Sequence, residues 1–115
     1  MDSYIFQRLN ASKFRSGIHL SENEKKFAAG KGIDKIGEDA YNILDKKIRV
    51  KNDNDGKQTP WHGHPVFVAQ HACAICCRKC MDKWYKIPQN KILDEKEIKF
   101  LLEIILEWID KETKS

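Results

Sequence analysis

No stretch of this chain stays apolar for the ~20 residues that a membrane-spanning helix requires. The opening residues, MDSYIFQRLNASKFR, lack the basic start and apolar run of a secretory signal. A cytoplasmic protein with no membrane partner is therefore expected. No internal repeat or low-complexity segment is visible, and no convincing alternation of apolar and polar residues marks a strand. A Gly-rich phosphate loop and a hydrolase motif are both missing. Asp55-Gly56-Lys57 has neither the upstream glycine nor the following hydroxyl residue of a P-loop. The βαβ setting of a thioredoxin-type Cys-x-x-Cys is missing as well.

What is present suits one domain spanning residues 1–115, with a single modest core. The apolar residues are clustered and periodic, which separates the chain from disordered sequences. A net charge of +4 is mildly basic. It permits contact with nucleic acid or another anion, and it equally suits a solvated surface.

The periodicities predict an all-α domain. Ser3 to Leu9 can form a short helix. Ser21-Glu22-Asn23-Glu24 has the form of a capping box, opening a helix from Glu22 to Ala29 that Gly30 would stop. Ile36, Ala40, Ile43 and Leu44 give helical spacing to Ile33–Ile48. Lys51 to Pro60 is a polar loop with a strong turn signal at Asp55-Gly56. Pro65 suits the first turn of the next helix, which reads on to about Tyr85 with a possible break near His71. The last helix has Leu93 as staple, Asp94 as N-cap and Glu97 as its reciprocal partner. Over Glu95 to Lys111 its apolar stripe comprises Ile98, Leu101, Leu102, Ile105, Trp108 and Ile109, and it needs a partner surface.

All four cysteines fall within 73–80. On a continuous helix, Cys73, Cys76, Cys77 and Cys80 would share an arc of roughly 60 to 80°. Three readings stay open. Reduced cysteines can pack as small apolar residues. Thiolates at i and i+3 or i+4 can hold zinc at about 2.3 Å, with two further ligands needed for a tetrahedral site. Cys73 and Cys80, about 10.5 Å apart along a helix axis, are too distant to converge on one ion. The set must then be completed by a break in the helix, by His71, or by His62 and His64 from the loop upstream. Two overlapping Cys-x-x-Cys units also allow an iron–sulfur cluster, although their spacing matches no familiar signature. Finally, Arg78, Lys79 and Lys83 could lower a thiol pKa and make it reactive.

Several stretches resemble an uncharacterised bacterial family of short proteins, domain-of-unknown-function family 4186. They include Ser12-Lys13-Phe14-Arg15, NDGKQTP from Asn54, GHPVF from Gly63, AQHA from Ala69, and CCRKC from Cys76, followed by Lys83-Trp84-Tyr85. The resemblance spans nearly the whole chain and brings no activity with it. The family pattern carries threonine at the position of Cys73 and histidine at that of Tyr85. It thus implies that Cys73 is dispensable, leaving Cys76, Cys77 and Cys80 as the better metal ligands.

The expected function is a small metal-binding helical module. Zinc is the favoured ion, with Cys76, Cys77, Cys80, His64 and His71 as candidate ligands. Asn54, Asp55, Lys57, Gln58 and Arg78 are the candidate binding groups, because a loop this rich in polar residues exceeds what packing demands. Nucleic acid is the candidate partner. Lys46, Lys47, Arg49, Lys51 and Lys57 would contribute basic charge on one side, and Arg78, Lys79, Lys83 and Lys86 on another. The alternatives are an enzyme whose Asp55, Lys57, His64, His71 and a cysteine line one pocket, and a metal-free protein with structural cysteines.

Overall fold

The structure is a computed structural model that describes residues 3–114. Among these residues every regular element is helical: α1 Ser3–Ala11, α2 Lys13–Ser16, α3 Glu22–Lys31, α4 Ile33–Lys47, α5 Pro65–Ala72, α6 Arg78–Tyr85 and α7 Glu95–Thr113. The all-α expectation holds.

Both capping boxes form. Ser21 Oγ accepts from the Glu24 amide while Glu24 accepts from the Ser21 amide, and Asp94 and Glu97 do the same at α7. Helix α3 runs past Gly30, however, and stops at Gly32, whose φ of 88° only glycine adopts without strain. The short α2, opened by Ser12 accepting from the Arg15 amide, was not expected.

Helix α7 is the axis of the fold and packs against α3, α4 and α5. Ile98, Leu101, Ile104, Ile105 and Ile109 are buried on it. Leu102 and Trp108, placed in the stripe by spacing, are only partly buried, and Ile104 takes the more central position. Opposite lie Ile36, Ala40 and Leu44 of α4 and Val66, Val68 and Ala69 of α5. Each fully buried Leu, Ile or Val contributes about 1.5–3 kcal/mol relative to exposure.

The chain from Val66 to Tyr85 is not one helix. It breaks between α5 and α6 over Cys73–Cys77, just past His71, in the neighbourhood where the sequence left a break open. The Ile75 amide donates to Gln70 O (2.7 Å) and the Ala74 amide to His71 O (3.5 Å), the paired bonds of a Schellman stop. Ala74 occupies its left-handed position, at φ 60°, where glycine is usual. The Gln70 side chain reinforces the stop by donating to Ile75 O at 3.1 Å. Only Cys80 of the four cysteines therefore lies within a helix, and the shared arc expected of them does not exist.

Candidate functional site

The break builds the site. Cys77 is the N-cap of α6, Cys76 precedes it, and Cys80 lies one turn inside, its amide donating to Cys77 Sγ at 3.5 Å. The three sulfurs all lie within 4.8 Å of one another. Cys73, buried in the core, stands outside this trio. Three cysteines this close could hold a metal ion. A tetrahedral zinc with bonds of about 2.3 Å spaces its sulfurs about 3.8 Å apart, so a contraction of at most about 1 Å brings them to bonding distance.

The amides at the start of α6 have no partner within the helix. Asp55, from the polar loop, supplies two: it accepts from the Arg78 amide at 2.9 Å and the Lys79 amide at 3.1 Å, while Gln58 donates to it at 3.0 Å. Burial works against the Asp55 charge, yet these donors outweigh it and hold the carboxyl below its usual range. Thr59 Oγ1 adds a bond to Cys76 O at 2.8 Å. The loop is thus fastened to the cysteine segment by Asp55 and Thr59 directly.

The cation beside the thiols comes from a distant segment. Arg15, at the end of α2 and 9% exposed, donates to His71 O at 2.5 Å and lies 3.3 Å from Cys80 Sγ and 3.9 Å from Cys76 Sγ. Among the described residues no carboxylate pairs with it. A buried guanidinium without counter-charge is costly, and among the described residues the anionic candidate beside it is sulfur. The Cys76 thiol donates to Cys80, which with Cys77 and Arg15 pulls the Cys80 pKa down to about 5. Cys76, as that donor, is driven up, and burial raises both Cys77 and Cys73. The cluster therefore gives up one proton readily and holds the others.

The histidines do not join the sulfurs. His64 caps α5: its Nδ1 accepts from the Val66 amide at 3.0 Å and its Nε2–H points to Asp39 at 2.9 Å, with Lys31 on the same carboxylate oxygen. Both nitrogens are occupied away from the cluster. His71 is closer, its carbonyl sharing Arg15 with the thiols, but its Nε2 donates to Thr59 O at 3.1 Å. Burial lowers its pKa and keeps it neutral. Its ring stacks under Trp61 at 3.6 Å, and Phe14 meets Trp61 edge-on. Exposed His62 pairs with Glu24.

Among the polar candidates, Asn54 and Lys57 are exposed and form backbone turns of the loop, while Asp55 caps α6 and Gln58 braces Asp55. Arg78 is fully buried. Its guanidinium donates to the carbonyls of Ile48, Arg49 and Pro88 at 2.7–3.2 Å and ties the start of α6 to the loops that follow α4 and α6. The cation that sequence spacing places beside the thiols thus faces the interior. Arg15, which spacing could not connect to cysteines some 60 positions away, takes that place. Its one signal was its place in Ser12-Lys13-Phe14-Arg15, one of the stretches quoted above for the family resemblance.

Residues 3–110 match the family described as a domain of unknown function, DUF4186, and the chain belongs to that family. No solved structure matches it. No helix among the described residues is long and apolar enough to cross a membrane.

Proposed function

We propose that this member of DUF4186 is a small metal-binding module in which Cys76, Cys77 and Cys80 supply three thiolate ligands to a zinc ion. One observation carries the reading: three sulfurs within 4.8 Å of one another beside a buried arginine that no carboxylate among the described residues neutralises. Three thiolates on a dication leave one negative charge, and Arg15 supplies the matching positive one. A soft, three-sulfur set favours zinc over hard cations. A [4Fe–4S] cluster, whose thiolates sit on separate irons, suits a wider ring of cysteines. With both nitrogens of His64 occupied and His71 held to Thr59, the fourth position falls to water or an incoming donor. That pattern belongs more to reactive zinc sites than to closed structural ones. A reducing cytoplasmic setting, where thiols persist, suits such a site.

A second reading has its own support. The lowered pKa of Cys80 and its partial exposure are what a reactive, metal-free thiol needs. Contact with nucleic acid draws less support, because Arg78 is buried and Arg49 is bound to Asp45, Glu95 and Leu93 O.

Metal analysis of protein purified without an affinity tag separates the two. The metal reading expects one zinc per chain, lost in Cys76→Ser and Cys80→Ser and weakened in Arg15→Gln. Metal-free protein with one thiol that alkylates fast near neutral pH would establish the second reading and sink the first.

A further inference from the structure

Next to the cysteine loop, α4 and α5 part around a cleft of about 350 Å³, within the size range of small-molecule sites. Its wall is apolar, formed by Ile43, Pro60 and Phe67. Lys46 and Lys47 flank it, and neither forms an ion pair among the described residues. A lysine pair left without acids beside an apolar cavity sets up charge complementarity toward an anion.

The cleft is also built on fixed residues. Thr59 lines it and is held through its bond to Cys76 O. Gln70, fully buried, lines it too and is held through Nε2 to Ile75 O. That bond settles which end of the amide is which, since a carbonyl accepts only from N–H. Gln70 Oε1 is then left buried with no donor. Buried acceptors are nearly always satisfied, and an exception calls for an explanation.

We propose that this cleft binds a small organic anion with a flat apolar body, its carboxylate or phosphate set against Lys46 and Lys47 and a donor substituent directed at Gln70. The ring would lie against Phe67, Ile43 and Pro60. Reaching Gln70 Oε1 takes a small side-chain adjustment at the floor, which the new hydrogen bond would offset. The proposal is independent of any metal at the cysteines.

The test is titration of the full-length, ¹⁵N-labelled protein, followed by amide shifts, with benzoate, 4-aminobenzoate, phenyl phosphate, benzyl alcohol and inorganic phosphate as probes. The aromatic anions should shift Ile43, Thr59, Phe67 and Gln70, and 4-aminobenzoate should bind more tightly than benzoate. Comparison of benzoate with phenyl phosphate identifies the preferred head group. The exposed double variant Lys46→Glu/Lys47→Glu should weaken binding at least about tenfold, and Phe67→Ala should weaken it too. Equal response to benzyl alcohol, the same shifts with inorganic phosphate alone, or no shift with any aromatic anion would each overturn the proposal. A benzoate affinity matching that of 4-aminobenzoate would overturn the role given to Gln70.

Discussion

Two arginines divide the chemistry of this protein between them. Arg78 lies within the CCRKC stretch but serves the interior, bonded to three backbone carbonyls at no exposure. Replacing it with methionine leaves those acceptors buried without donors. The expected cost is at least about 3 kcal/mol, read as a loss in the free energy of urea unfolding, with an undiminished value arguing against the cross-link. Arg15 serves the sulfurs instead. Because the Cys80 pKa is lowered in the folded state to about 5, its ionisation stabilises the fold above the unfolded thiol value of about 8.5. That contribution declines as pH falls and is gone once the pH passes below the folded value. In chelator-treated protein, the rate of Cys80 alkylation by iodoacetamide should therefore stay level down to about pH 6 and fall below pH 5. Arg15→Gln should move that fall toward neutral pH. An unmoved profile would show that the guanidinium does not hold the thiolate.

At the scale of elements, the decisive feature is the stop between α5 and α6. A continuous helix would string the cysteines along its axis. The left-handed turn at Ala74 instead folds Cys76 and Cys77 back onto the first turn of α6, where Cys80 waits. Asp55 and Cys77 together satisfy the opening amides of α6, so the helix starts without strain where the sulfurs need it. Its other end is less well served, since Lys86 is left-handed at φ 60° and exposed. Lys86→Gly should remove that strain and raise stability by about 0.5–1 kcal/mol, whereas Lys86→Val should lower it. Thermal unfolding of the two variants decides the matter.

For the whole molecule, α7 joins α3, α4 and α5 around one core. Leu101, fully buried at its middle, should cost about 2–5 kcal/mol when cut to alanine. Far-UV dichroism and tryptophan fluorescence should then report one shared, lowered transition, and separated transitions would show that the core is not cooperative. If zinc binds the native trio, adding it at 100-fold above its dissociation constant should raise stability by about 2.7 kcal/mol. The rise should be absent in Cys80→Ser.

Helix content, the two capping boxes, the polar loop and most of the α7 stripe were legible in the sequence, because each is written in residues within a turn or two of one another. The same locality explains the misses. A break near His71 was open in the sequence but its form was not, because alanine at position 74 holds a left-handed conformation that glycine usually announces. The place of Arg15 beside Cys80, the turning of Arg78 inward and the diversion of His64 to Asp39 depend on which helices meet. The sequence by itself determined an all-α chain with four closely spaced cysteines, of which the family resemblance put Cys76, Cys77 and Cys80 forward as metal ligands. Only the tertiary structure decided that those sulfurs converge, that no imidazole joins them, and that a single buried guanidinium faces them, since charge and sulfur met through packing between segments that local spacing does not connect.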